Sequence, residues 1–82
     1  MNNFVSNINY ATKEYELHDL FAEFGDVSSA KIVTDRETGR SRGFGFVEME
    51  NGRDAIKAIK ALNTLRVHGY GIRVKAAEST DE

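Results

Sequence analysis

The sequence predicts an α+β fold in which four antiparallel strands carry two helices on one face of the sheet. Three observations support this prediction. Two segments repeat apolar residues at helical spacing, and four others alternate apolar and polar residues as strands do. The segments follow the order strand, helix, strand, strand, helix, strand. With 82 residues, the chain is long enough for about one small domain with a single core.

The first half of the chain supplies a strand, a helix and a second strand. Residues 3–8, NFVSNI, form a short apolar run with aromatic and β-branched members, which is typical of a strand. We expect Thr12 to cap the following helix and Gly25 to end it. This helix is about twelve residues long and has apolar residues at positions i, i+3, i+4 and i+7: Leu17, Leu20, Phe21 and Phe24. Residues 27–33 alternate again and predict the second strand.

The second half supplies the other three elements. A charged loop, TDRETGRS, leads into residues 42–49, which we predict as the third strand. Residues 51–62 form the second predicted helix, because apolar residues recur there at helical spacing: Ala55, Ile56, Ile59 and Leu62. After the loop RVHGYG, residues 72–76 alternate as the fourth strand. This order of elements is that of the split ferredoxin-like fold.

We predict one domain at residues 1–77 and a short acidic polar tail at residues 78–82. The sequence has no cysteine, which excludes disulfides, thiolate metal sites and cysteine nucleophiles. It also has neither a positively charged segment followed by an apolar run nor a stretch of about eighteen apolar residues. We therefore expect a cytoplasmic monomer with no membrane partner and no cofactor.

Strand parity predicts that a group of aromatic side chains points away from the helices. Residues two apart in a strand share a face, and in the third strand Phe44 and Phe46 share a face with Arg42. A charged side chain is unfavourable beneath two apolar helices, so we expect this face to be open and Val47 to face the core. The same argument turns Phe4 outward, together with three basic side chains: Lys31, Arg73 and Lys75.

The net charge of −2, taken alone, argues against a nucleic-acid partner. Much of the acidity, however, lies on or just after the first predicted helix, away from the open face: Glu14, Glu16, Asp19, Glu23 and Asp26. The open face is therefore expected to be locally basic. Bases can stack on exposed aromatic rings while Lys and Arg contact phosphates, so this surface favours single-stranded nucleic acid.

Residues 42–47, RGFGFV, resemble the octapeptide of the RNA recognition motif (RRM) family, which reads Lys/Arg, Gly, Phe/Tyr, Gly/Ala, Phe, Val, any residue, Phe/Tyr. Glu48 stands at the free position, and Met49 replaces the last aromatic residue. We expect Met49 to face inward, where RNA does not reach. Gly45 would let a helix approach the strand closely, and Gly43 would do the same.

The first strand, NFVSNI, is similar to the family's hexapeptide, with Phe4 at its aromatic position. Asn3 stands where an inward aliphatic residue is usual, and Ser6 stands where glycine is usual. The two motifs occur at the family's spacing and within its order of elements. The resemblance therefore covers essentially the whole chain.

This resemblance implies that RNA binds on the open sheet. Phe4 and Phe46 would each stack on a base, Phe44 would insert against the sugars, and Arg42 would pair with a phosphate. The other predicted RNA-binding residues are basic: Lys31, Arg36, Arg40, Arg73 and Lys75. We predict a single RRM that binds about two to four nucleotides of RNA with limited sequence selectivity, in post-transcriptional regulation. Single-stranded DNA is a second candidate ligand in vitro.

The alternative from another functional class is a protein-interaction module of the same fold, which would use the sheet or the acidic first helix. An enzyme is not expected. The glycine-rich RGFGF lies within a strand and not between a strand and a helix, so it is not a phosphate-binding loop. His18 and His68 have no partners at metal-ligand or catalytic spacing. Aromatic residues at all three positions, 4, 44 and 46, favour RNA over the alternative.

Overall fold

The computed structural model describes residues 1–77 and confirms the predicted fold class. The elements are β1 Asn2–Ser6, α1 Glu14–Ala22, β2 Val27–Thr34, β3 Ser41–Met49, α2 Gly52–Leu62, β4 Arg66–Val67, β5 Tyr70–Gly71 and β6 Arg73–Ala76. Four of them form an antiparallel sheet in the order β2-β3-β1-β6. The predicted tail, residues 78–82, lies outside the described residues. Neither helix in residues 1–77 is long and apolar enough to cross a membrane.

The core lies between the sheet and the two helices. The central strands β1 and β3 contribute Val5, Val47 and Met49, which have no accessible surface. From α1, Phe21 and Leu17 pack against them, also with at most 1% of their surface exposed. Burying a large apolar side chain contributes about 1.5–3 kcal/mol, so this face of the sheet supplies much of the stability. The predicted inward direction of Val47 and Met49 is confirmed.

The second helix faces the sheet with smaller residues than the sequence suggested. Ala55, Ala58 and Leu62 are buried, whereas Ile56 is 46% exposed. Ile56, although part of the apolar pattern that predicted this helix, therefore lies outside the core. Successive helical residues are about 100° apart around the axis, and packing centred on Ala55 and Ala58 turns the next residue, Ile56, toward solvent.

The first helix begins one residue later than predicted, and its cap is different. Lys13, not Thr12, is the N-cap residue, and its backbone N–H donates to Glu16 Oε1 at 2.8 Å. This hydrogen bond, with a second one to His68, holds the pKa of Glu16 below its ordinary value. Thr12 is instead buried, and its hydroxyl has no hydrogen-bond partner within the described chain.

A short hairpin, β4–β5, occupies the segment predicted to be a loop. Its two turn residues, His68 and Gly69, both have positive φ angles, 51° and 85°, as a type I′ hairpin turn requires. Asn9 Nδ2 donates to the carbonyl oxygen of His68 at 3.0 Å, and His68 Nε2 lies 2.9 Å from Glu16 Oε2. The hairpin therefore contacts both α1, through Glu16, and the loop between β1 and α1, through Asn9. No local sequence pattern indicated this contact between His68 and Glu16.

Candidate nucleic-acid interface

Three phenylalanines form a cluster on the sheet face opposite the helices, which we call the aromatic triad: Phe4, Phe44 and Phe46. Phe4 pairs directly with Phe46 across β1 and β3, and Phe44 pairs with Ser6 one step along the same ladder. The ring centroid of Phe4 lies 5.4 Å from that of Phe46 and 5.8 Å from that of Phe44. Each ring is half-buried by its neighbours. The rings therefore support one another and still leave surface on which a flat ligand can lie.

Strand pairing places basic side chains around the aromatic triad. On β2, Lys31 pairs with Phe46, and on β6, Lys75 pairs with Phe4 while Arg73 pairs with Ser6. All three basic side chains are exposed. The Nζ atom of Lys75 lies 5.6 Å from the centroid of the Phe4 ring, which is within the range of a cation–π contact. The predicted charge on this face is thus present, and one ammonium already lies over an aromatic ring.

The remaining predicted arginines lie in the turn between β2 and β3 and at the start of β3. Asp35 Oδ1 accepts hydrogen bonds from two backbone N–H groups of this turn, at 2.7 and 3.3 Å. These bonds, together with the charge of Arg42, hold the pKa of Asp35 below its ordinary value. Arg36, Arg40 and Arg42 are exposed, and none forms an ion pair within residues 1–77. Their charges are therefore available to a ligand at the end of the sheet.

A groove of about 310 Å³ runs beside Phe4 along the edge strand β6. Arg73 and Lys75 line it together with Asn63, whose Oδ1 accepts a hydrogen bond from the backbone of β6 at 3.1 Å. A base stacked on Phe4 would have its edge near these polar groups. Asn63 directly follows α2, so no strand pattern in the sequence points to it.

The structural reasons for glycine at positions 43 and 45 of β3 differ from the expected ones. A Cβ at position 45 would lie 2.2 Å from the backbone oxygen of Lys31 on the adjacent strand. Gly43 adopts a positive φ of 84°, which side chains disfavour. The prediction that both glycines admit a helix is therefore wrong. Gly45 admits the backbone of β2 next to a register shift in that ladder, and Gly43 supplies an unusual backbone angle.

Asn3, the departure from the hexapeptide at the start of β1, points into the core. It has no accessible surface, and neither polar atom of its side chain has a hydrogen-bond partner in the described residues. An unpaired buried amide costs about 1–3 kcal/mol. An aliphatic residue at position 3 would therefore make β1, the strand that carries Phe4, more stable.

Groups of three or more side chains that could hold a metal ion do not occur within residues 1–77. His18 Nδ1 lies 3.5 Å from its neighbour Asp19, and both side chains are exposed. The site thus consists of aromatic rings and cations on a sheet.

Comparison with known proteins assigns this chain to a family. The sequence profile described as "RNA recognition motif" matches residues 4–73. The glycine-rich RNA-binding protein blt801 of Hordeum vulgare is 45% identical over 76 residues, which are 93% of this chain and 47% of that protein. The chain thus spans about half the length of the curated relatives it matches.

Solved structures agree with this assignment. The crystal structure of RNA Binding Protein PG1 is 49% identical, with a TM-score of 0.91 and 99% of both chains covered. A structure of the Rna15 RRM with bound RNA (GU) is 25% identical, with a TM-score of 0.84, and covers 99% of this chain and 86% of that one. This chain belongs to the RNA recognition motif family, which is a non-enzymatic family.

Proposed function

We propose that this protein binds short segments of single-stranded RNA on its open sheet face. The observation that carries the proposal is the aromatic triad, whose ring centroids lie 5.4 and 5.8 Å apart on the side of the sheet opposite the two helices. Stacking on such rings contributes about 1–3 kcal/mol per base. The printed names of blt801 and RNA Binding Protein PG1 support the same ligand class.

The three rings have different proposed roles. Phe4 and Phe46 are the stacking platforms, and Phe44 packs against sugars between them. Their mutual contacts keep the rings in place before RNA arrives, so little side-chain entropy is lost on binding. A base that stacks on Phe4 takes up the ring face next to which the ammonium of Lys75 lies. The ammonium is then close to the adjacent phosphate.

The basic side chains around the triad supply the electrostatic part of binding. Arg42 contacts a phosphate, and Lys31, Arg36, Arg40, Arg73 and Lys75 contribute further positive charge. For Z phosphate contacts on a single strand, the logarithm of the binding constant falls with the logarithm of salt concentration with a slope of about −0.7Z. Phosphate contacts carry no sequence information, so we infer limited selectivity over about two to four nucleotides.

The test is a fluorescence anisotropy titration of a labelled random RNA pool with wild type, Phe4→Ala and Phe46→Ala. Each substitution should weaken binding by roughly 1–3 kcal/mol. Tyr15→Ala is the matched control, because Tyr15 is 67% exposed on α1 and also loses an aromatic ring. Wild-type affinity in both phenylalanine variants would refute the proposal.

The same variants separate RNA binding from protein recognition. A shallow groove beside α1 is lined by three acidic residues together with Leu20 and Val67: Glu16, Asp19 and Glu23. A protein partner on this groove would be insensitive to Phe46→Ala and sensitive to charge reversal at Asp19. Under the RNA proposal, RNA binding is weakened by Phe46→Ala and is insensitive to charge reversal at Asp19.

The wider biological role is also inferred. Stacking does not require a 2′-hydroxyl, so single-stranded DNA of the same sequence should bind in vitro, and a DNA titration checks this. We infer a monomer that acts on transcripts in post-transcriptional regulation in the cytoplasm. Size-exclusion chromatography with light scattering tests the monomer, and RNA recovered after crosslinking in fractionated cells tests the process and the compartment.

A further inference from the structure

One aromatic side chain outside the triad is more exposed than any other large apolar residue in the described part of the chain. Tyr10, in the loop between β1 and α1, has 73% of its surface accessible. Its ring lies beside β3, because a Cβ added at Gly43 would be 4.0 Å from Tyr10 Cε1. In sequence, Gly43 stands between Arg42 and Phe44. Tyr10 therefore lies beside the start of β3, at the residue that separates Arg42 from Phe44.

Two clefts open beside Tyr10. The outer cleft, of about 340 Å³, is lined by Tyr10, Asp35, Thr38, Arg40, Ser41 and Arg42. The inner cleft, of about 270 Å³, shares Tyr10, Arg40 and Ser41 with it and continues toward Lys13 at the start of α1. Ligand pockets usually measure about 300–1,000 Å³. Each cleft is thus large enough for part of one nucleotide and too small for several.

The charges around the clefts favour a phosphate. Lys13, Arg40 and Arg42 border them, and none forms an ion pair within residues 1–77. The two carboxylates that also line the clefts are engaged by backbone donors. Glu14 Oε2 accepts from a backbone N–H of β2 at 2.9 Å, and Asp35 Oδ1 accepts from the turn. Both carboxylates keep their negative charge, and the three cations exceed these two carboxylates by one positive charge.

The inner cleft also contains an unsatisfied polar group. Thr12 is among its lining residues and is 4% exposed, and its hydroxyl has no hydrogen-bond partner in the described residues. Buried polar groups are usually paired with protein or water. A ligand that reaches into the inner cleft can supply the missing partner.

We propose that Tyr10 and the two clefts form a subsite for one further nucleotide of the RNA strand held on the sheet. The base stacks on the Tyr10 ring, and the phosphate is met by Arg40 with Lys13 or Arg42. This inference rests on the proposed RNA-binding function and extends the bound strand beyond the aromatic triad, around the end of β3. Tyr10 then acts as a binding residue although it lies outside both sequence motifs of the family.

The test compares random RNA pools of about four and about eight nucleotides, since the sheet alone accounts for about two to four. Anisotropy titrations of Tyr10→Ala should show a loss of about fivefold to 150-fold for the longer pool, the equivalent of one stacked base. The shorter pool should bind as it does to wild type. Tyr10→Phe keeps the ring and should bind both pools normally, and Tyr15→Ala removes a comparably exposed ring that lines neither cleft.

The outcomes distinguish this subsite from the function on which it rests. Unchanged binding of the longer pool to Tyr10→Ala overturns the subsite and leaves the triad intact. An equal loss for both pools also overturns it, because Tyr10 would then act on the sheet or on the fold. Wild-type affinity of both Phe4→Ala and Phe46→Ala for both pools refutes the proposed function itself.

Tyrosine fluorescence gives a second readout. The chain has three tyrosines and no tryptophan, so in a Tyr15→Phe, Tyr70→Phe double variant the emission comes from Tyr10 alone. Stacking of a base should quench this emission with the longer pool and not with the shorter one. Emission that stays constant while the longer RNA binds overturns the subsite.

Discussion

The two faces of the sheet use the same strand for opposite purposes. On β3, Val47 and Met49 have no accessible surface and hold the helices, whereas Phe44 and Phe46 keep part of their rings exposed on the other side. Substitutions on the covered face should therefore change stability, and those on the open face should change RNA binding. Alternation within one strand separates the two functions residue by residue.

The largest expected effect is on the covered face. Phe21→Ala removes a fully buried ring and should lower the free energy of unfolding by about 3–5 kcal/mol, measured by urea denaturation. Phe46→Ala removes a half-buried ring and should cost clearly less stability while it weakens RNA binding. Equal losses of stability in the two variants would contradict the separation of the faces.

Glycine substitutions test how closely the backbones of neighbouring strands approach each other. Gly45→Ala places a Cβ 2.2 Å from the Lys31 oxygen, so β2 and β3 must shift relative to each other, with an expected loss of about 1–3 kcal/mol. Gly52→Ala is the matched control, since nothing lies within 4 Å of the added Cβ in α2, and it should stabilise the protein by about 0.4–1 kcal/mol. Thermal or urea unfolding of both variants checks the signs, and a neutral Gly45→Ala would contradict the close approach.

The buried amide on β1 provides a stabilising change. Asn3→Val removes two unpaired polar atoms from the core and should raise the free energy of unfolding by about 1–3 kcal/mol. RNA affinity should not change, because position 3 faces the helices. A less stable Asn3→Val, compared by urea denaturation with wild type, would mean that the amide is paired in solution.

The smallest expected effect is that of acid. The pKa of Glu16 is lowered by the backbone hydrogen bond from Lys13 and then by His68, starting from an ordinary value of 4.5. A lowered folded-state pKa gives stabilisation that is complete above the ordinary value and is lost as pH falls through the folded-state value. The urea midpoint of wild type should therefore decline slightly below this pH, more than that of Glu16→Gln. Parallel pH profiles would show that the contact does not stabilise the fold.

Periodicity predicted the architecture and the direction of the triad because both follow from alternation and helical spacing. It did not predict details set by packing between elements. Ile56 fits a helical stripe, yet the sheet packs against the neighbouring alanines. Gly45 is explained by the backbone of β2, whose position no local pattern reports. The hairpin turn at His68 and Gly69 had a signal, a His-Gly pair between Val67 and Tyr70, that is weaker than Asn-Gly.

Two residues near the open face could not be predicted from helical or strand periodicity, for the same reason. Tyr10 and Asn63 occur in loops, and only the folded chain shows that one lies beside β3 and the other beside β6. Charge position, in contrast, could be inferred from the sequence. The basic residues Lys31, Arg73 and Lys75 lie on the open face, whereas the acidic residues of α1 lie on the covered side. The net charge of −2 therefore does not describe the surface that RNA would meet.

An NMR titration with RNA tests the central claim most directly. Unlabelled RNA of about four nucleotides would be added to isotope-labelled protein while the amide and aromatic resonances are followed. Binding on the open face predicts the largest shifts for β1 and β3 and for the rings of Phe4, Phe44 and Phe46, with small shifts across α1 and α2. Shifts concentrated on α1, with the three rings unmoved, would contradict it.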